Sequence, residues 1–234
     1  MKCLAIDTST ERMSLALQAQ GQVWTHDGVG GQQSSASLIP AIMGLLSQAG
    51  MALQQLDAIA FGQGPGAFTG LRTACAVAQG LALGANLPLL PIDTLMCVAE
   101  AARGQGTRVM SVMDARMGQV YASACAWEGQ AWQVVQAPML TTAAALALPA
   151  EWSATSVVLA GNAQAAHAEG LQHLLVAGVQ GLEQWPTASA MLRLADLAWQ
   201  RGEAVPPELA LPVYVRDQVA LTTLERAAVK AASA

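Results

Sequence analysis

"CLAIDTSTERMSLALQ", residues 3–18, and "VMSVMDARMGQVYASA", residues 109–124, are the two stretches that decide the fold. Each opens with an apolar run, reaches an aspartate, turns through polar residues and returns in a second run. Alternation on both sides of a short polar turn reads as an antiparallel strand pair. Asp7 is followed seven residues later by Ser14, and Asp114 seven residues later by Tyr121. The two aspartates are 107 residues apart in a chain of 234. An offset of nearly half the chain reads as an internal duplication, in which each lobe begins with a strand–Asp–turn–strand unit.

The rest of the chain is read outward from these units. "QVWTH" at 22–26 follows Gly21 as a third strand. Ser34, Ser35 or Ser37 is expected to cap the first helix, whose face carries Leu38, Ile42, Leu45 and Leu46, and Gly50 suits its stop. "LDAIAF" at 56–61 is a buried strand that runs into "FGQGPGAFTG" at 61–70, and that motif opens a second helix, "LRTACAVAQGLALGAN". Ala76, Gly80 and Gly84 lie four residues apart on it. Such a stripe of minimal side chains admits another helix closely, from the same chain or from a partner. Asp93 or Thr94 caps a third helix that ends near Arg103, and Gly104 and Gly106 mark a boundary. Residues 1–104 are therefore read as an N-terminal lobe and 105–204 as a C-terminal lobe. In the second lobe, "SVVLAGNAQAAH" reads as strand, turn and helix start, and "TASAMLRLADLAWQRG" as an amphipathic helix. The proline-bounded segment that begins near 205 and runs on to 234 is expected to return to the first lobe.

Composition limits what the chain can be. Hydrophobic residues make up 53% and charged residues 12%, the balance of a folded chain. The most apolar region, "LPLLPIDTLMCVAEAA" at 87–102, is broken by Pro88, Pro91 and Asp93, well short of the ~20 apolar residues of a membrane span. The N-terminal "MKCLAIDTST" reaches Asp7 too soon for a signal peptide, so the expected location is cytoplasmic. Cys3, Cys75, Cys97 and Cys125 form no CxxC pair and read as buried thiols. His26, His167 and His173 lack the spacing of a zinc site. A net charge of −5 with only two lysines argues against direct, strong nucleic-acid binding.

The glycine motif leaves two readings. It is not a Walker loop, because Gly70 is followed by Leu71 and Arg72 rather than lysine. Gly62, Gly64 and Ala67 match a dinucleotide fingerprint in part, but no acidic residue follows at the distance that holds a ribose. What remains is an anion cradle at a helix N-terminus, or a turn that lets strand and helix approach. Asp7 and Asp114 sit at equivalent strand ends, where they could face a cleft and hold a hydrated magnesium, or each cap its own turn. A hydrolase site has neither metal ligands nor a nucleophile–base pair here.

"LAIDTST" at 4–10, "GPGAFTGLR" at 64–72, "MDARMGQVY" at 113–121 and "LPVYVR" at 211–216 together resemble the TsaB family, also called YeaZ. The resemblance covers nearly the whole chain and is weakest from about 130 to 185. It implies an α/β architecture with the duplicated actin/Hsp70-like (ASKHA, ribonuclease-H-like) two-lobe fold. It implies a non-catalytic subunit in making threonylcarbamoyladenosine in tRNA, next to the anticodon. The transferase is then a TsaD-type partner with an HxxxH metal site, completed by a TsaE-type ATPase. The pairing surface it implies lies on the first two helices, from about Ser35 to Ala49 and from about Thr69 to Gly84. The residues carried over are Leu38, Ile42 and Leu45 on the first, and Thr69, Arg72, Ala76, Gly80 and Gly84 on the second. Asp7, Thr8, Ser9, Gly64, Gly66 and Asp114 are carried over as vestigial nucleotide or phosphate contacts. No cofactor is assigned to this chain, while ATP and magnesium are implied for the assembled complex. Transfer RNA would be reached through that complex, the chain alone could form a homodimer or stay a monomer, and no membrane is involved. Many members carry a histidine before the first helix, where "QQSSASLIP" stands here, so that residue's role does not carry over. The competing reading is an ATP-dependent small kinase or carbamoyltransferase of the same fold, with Asp7 and Asp114 around magnesium and Thr8, Ser9 and the glycine loop on phosphates.

Overall fold

Two five-stranded sheets repeat one strand order. The computed structural model describes residues 1–31, 34–152 and 156–216. The first sheet contains β1 (Cys3–Asp7), β2 (Arg12–Ala19), β3 (Gln22–Val29), β4 (Ala58–Gly64) and β5 (Leu89–Asp93), in the order β3-β2-β1-β4-β5. The second contains β6 (Arg108–Arg116), β7 (Gln119–Trp127), β8 (Trp132–Thr142), β9 (Val157–Gly161) and β10 (Val179–Glu183), in the order β10-β9-β6-β7-β8. In each, the first three strands pair antiparallel and the last two add in parallel. This is the duplicated two-lobe architecture that the repeated aspartate units imply.

The helices are α1 (Ser34–Gln48), α2 (Phe68–Ala85), α3 (Thr94–Ala102), α4 (Ala163–Ala166), α5 (Ala168–Leu171) and α6 (Ala188–Gln200). Local chemistry explains their ends. α1 stops at Gly50, whose φ of 63° lets the Met51 N–H reach back to the Leu46 carbonyl at 2.9 Å. Ser34, Ser35 and Ser37, expected before the first helix as its cap, all lie inside α1, and the residues just before it fall outside the described ones. Asp93 caps α3 as expected, its carboxylate accepting the Met96 N–H at 2.8 Å. Thr187 caps α6 through the Ala190 N–H at 3.3 Å.

Three apolar layers alternate with the sheets. α1 and α2 cover the outer face of the first sheet, where Leu4, Ile6, Phe61, Leu38 and Ile42 are buried together. The short helices and 3-10 turns of the second half cover the outer face of the second sheet. α3 and α6 fill the space between the two sheets, and they cross over. α3 ends the first repeat yet packs on β6, β7 and β9, while α6 ends the second repeat and packs on β1 and β2. Glu100 of α3 ties this layer together. Its carboxylate accepts Trp132 Nε1–H at 2.8 Å and Arg193 Nε–H of α6 at 2.5 Å.

After α6 the chain crosses back. Val205 forms a bridge with Leu89 on β5, and the Gln79 amide donates to the carbonyls of Pro207 and Ala210. Val213 N–H then reaches Gln63 O at 2.7 Å. The described chain ends at Arg216, whose guanidinium donates to Ala115 O of the second sheet at 2.9 Å. The remainder of the returning segment, 217–234, lies outside the described residues. Among the described residues no helix is long and apolar enough to cross a membrane.

Candidate functional site

The two aspartate turns face one another and enclose a cavity of about 370 Å³. Ser9, Thr10 and Glu11 of the β1–β2 turn form one wall, and Asp114 to Met117 of the β6–β7 turn form the opposite wall. The first turn of α2 and the returning segment from Val213 to Arg216 close the remaining sides. The duplication thus places equivalent turns on the two sides of one space.

The glycine motif is built for close packing. A Cβ on Gly66 would stand 2.7 Å from Ser9, and one on Gly70 would run into the Thr8 carbonyl. The Ala67 N–H, the first donor an anion would seek at this helix start, is given to Ser9 O at 2.7 Å. Thr8 Oγ1–H donates to Gly70 O at 2.7 Å. Gly64, with φ of 122°, lies directly under the Val213 carbonyl. The β1–β2 turn therefore fills the space that a phosphate would take. Of the two readings left open by the sequence, this geometry favours the packing turn.

The two aspartates differ in environment. Asp7 is buried behind Ser9 and does not line the cavity. Its Oδ1 accepts both the Ser9 N–H, at 3.1 Å, and the Ser9 hydroxyl, at 2.8 Å, whereas Oδ2 has no hydrogen-bond partner. Burial pushes its carboxyl up from 3.8 to about 6 against those two bonds. Asp114 does line the cavity. Burial raises it, but the His167 bond at 3.0 Å, the Arg116 N–H at 2.9 Å and the Arg116 guanidinium at 3.1 Å outweigh that and hold it below its ordinary value. A magnesium shared by both would need both carboxylates in one space, and only Asp114 opens onto it. Among the described residues no three His, Cys, Asp or Glu side chains converge as metal ligands.

The residues carried over for pairing separate into two sets. Leu38, Ile42 and Leu45 are buried in this chain's own core under α1. They cannot meet a partner, because the first sheet already occupies that face. The outward side of α1 instead carries Ile39, 48% exposed, and Met43, 53% exposed. On α2, Thr69, Arg72, Ala76, Gly80 and Gly84 are all exposed, joined by Leu83 at 64%. A Cβ on Gly80 or Gly84 would meet nothing within 4 Å.

Asn162 on the cavity wall, His167 behind Asp114 and Phe68 at the start of α2 were given no role by the sequence, and Arg72, Tyr214 and Arg216 were named or quoted there without this one. His167 and Asn162 reach Asp114 from beyond β9, the latter accepting the Asp114 N–H at 3.0 Å. Phe68, Arg72 and Tyr214 form a cluster at the mouth. The Arg72 guanidinium lies 3.8 Å from the Phe68 ring centre and donates to Tyr214 Oη at 3.0 Å. Arg216 reaches Met117 Sδ at 3.0 Å. Apart from Phe68 and Arg72, four residues apart on α2, the partners lie about 50 to 140 positions away, so no local pattern pairs them.

Comparison with known proteins follows this geometry. The family model for TsaD, tRNA N6-adenosine threonylcarbamoyltransferase, matches residues 18–221. The chain is 36% identical to the tRNA threonylcarbamoyladenosine biosynthesis protein TsaB of Escherichia coli (strain K12), over 94% of this chain and 96% of that one. It is 33% identical to the protein of the same name from Haemophilus influenzae, over 92% and 94%. Among solved structures, YeaZ from Pseudomonas aeruginosa superimposes with a TM-score of 0.82 at 38% identity, covering 91% of this chain and 99% of that one.

Proposed function

The chain belongs to the TsaB family of tRNA threonylcarbamoyladenosine biosynthesis proteins, and from that premise we propose that it serves the pathway as a non-catalytic subunit that docks on a TsaD-type transferase. One observation carries the docking. α2 presents Ala76, Gly80 and Gly84 to solvent, with open space above the two glycines and exposed Leu83 beside them, and α1 exposes Ile39 and Met43. A stripe without side chains admits a partner helix at short distance, and the flanking apolar side chains supply the area to bury. The sealed carboxylate of Asp7 and the filled space beneath α2 support a role without chemistry at the interlobe cavity.

In this reading the complex works in the cytoplasm with a TsaE-type ATPase, tRNA is engaged through the partners, and ATP and magnesium belong to the assembly. The same helical face supports a homodimer when the partner is absent. The test is light scattering on a size-exclusion column, with the chain alone and mixed with its cognate TsaD-type subunit. A mixed complex that Gly80→Leu abolishes, with the variant still folded, is the expected result. A sound, monodisperse chain that forms no complex would overturn the reading.

A further inference from the structure

We propose that the crevice bounded by β5, α3 and α6 binds a small organic cation, a primary ammonium on an apolar body. The crevice has a volume of about 250 Å³ and shares no lining residue with the cavity between the aspartate turns. Neither α1 nor α2 lines it, so the proposal stands apart from docking on those helices. An apolar void of roughly 150 Å³ already takes a benzene-sized molecule, and the space here suits a ligand of one ring. Its walls are apolar: Ile92 of β5, Met96 of α3, Trp132 of β8, and Leu194, Leu197 and Ala198 of α6.

One charge in the crevice lacks a counter-ion. Asp93, the N-cap of α3, lines it and is partly buried. Its Oδ1 accepts the Met96 N–H at 2.8 Å, and among the described residues no cation pairs with it. At the rim, Arg201 and Glu203 satisfy one another through two bonds, at 2.5 and 3.0 Å. Burial pushes the Asp93 carboxyl up from 3.8 to about 6, against the bonds from Met96 and Leu95. A carboxylate only accepts hydrogen bonds, so the ligand must bring a donor. An ammonium brings the donor together with the missing charge. The Trp132 ring in the same wall favours a cation over a neutral group of equal size. An anion would face the Asp93 charge, and the Met96 N–H that could draw one to this helix start is already taken.

The experiment is calorimetric titration of the full chain, and of Asp93→Asn, with benzylammonium, benzyl alcohol and benzoate at neutral pH. Asparagine caps a helix as aspartate does, so the variant keeps α3 and loses only the charge, which circular dichroism checks. Benzylammonium should bind the parent with a dissociation constant on the order of a millimolar, as a ligand of its size allows. It should bind about tenfold tighter than benzyl alcohol, with benzoate weakest, and Asp93→Asn should erase that preference while still binding the alcohol. In the parent the preference should fade as pH falls through about 6, where Asp93 takes up its proton. Cys97 and Cys125 lie near Asp93, but burial pushes both thiols up and they stay neutral there. Glu203 is held below its ordinary value by Arg201. Asp7, which faces Thr94 across Gly62, also rises to about 6, so the pH profile is read against that of Asp93→Asn. No saturable binding of benzylammonium up to about ten millimolar, equal affinity for the amine and the alcohol, or a preference that survives in Asp93→Asn would overturn the proposal.

Discussion

Thr8 and Gly70 meet where β1 runs out and α2 begins. The Thr8 hydroxyl donates to the Gly70 carbonyl at 2.7 Å, and the Thr8 carbonyl occupies the place where a Gly70 side chain would stand. Gly70→Ala is therefore expected to cost about 2–4 kcal/mol, since the obstacle is backbone and cannot rotate away. Gly80→Ala, with open space above it, should be neutral or gain about 0.5–1 kcal/mol from helix propensity. Urea unfolding of the two variants side by side checks the contrast.

Asp7 predicts a pH dependence. Its carboxyl rises from 3.8 to about 6 in the folded chain, chiefly through burial. The folded state thus holds the proton more tightly than the unfolded one. That contribution to stability is fully present below the ordinary value and is lost as pH rises through about 6. Asp7→Asn has no such loss. The stability of the variant relative to the parent should climb between about pH 4 and pH 7 by up to ~3 kcal/mol, from roughly two units at ~1.4 each. A flat difference across that range would show that Asp7 does not titrate there.

Glu100 holds Trp132 of the second sheet and Arg193 of α6 with one buried carboxylate. Glu100→Ala strands the indole N–H and removes the partner of Arg193, an expected cost of about 3 kcal/mol by chemical denaturation. Arg193→Ala should cost less, because its side chain is about half exposed and Arg103 also faces Glu100.

The two sides of α1 should separate stability from assembly. Ile42→Ala empties a fully buried site and should cost about 2–5 kcal/mol. Ile39→Asp lies on the open side and should change stability by about 0.5 kcal/mol or less while weakening the mixed complex. Thermal melts and light scattering read the two effects independently.

How far the sequence revealed the fold depended on how local each signal was. The strand–Asp–turn–strand units, the Gly50 stop and the Asp93 cap are contained in a few residues and were legible. α1 was legible as an amphipathic helix, but its periodicity marks the buried side. Leu38, Ile42 and Leu45, which the family resemblance implies for pairing, lie on that buried side and belong to the core. The second lobe was less legible because its elements shrink. Two 3-10 turns, Ala143–Ala145 and Ala150–Trp152, stand where the first lobe has α1, and the four-residue α4 and α5 stand where it has α2. Helices of one turn leave no 3.6-residue period to read. His167 reaches Asp114 only through the fold, and although Tyr214 and Arg216 lie in the quoted 211–216 stretch, nothing local in it shows that they line the cavity.

The crossing of α3 and α6 makes each repeat depend on the other for its interior. The first sheet's inner face is covered by a helix encoded after position 187, and the second sheet's inner face by one encoded before position 103. Neither half carries the parts to exclude water by itself. The chain should therefore melt in a single cooperative step, with calorimetric and van't Hoff enthalpies in agreement. The descendants of the duplicated unit have become obligate halves, able to complete one another but not to stand alone.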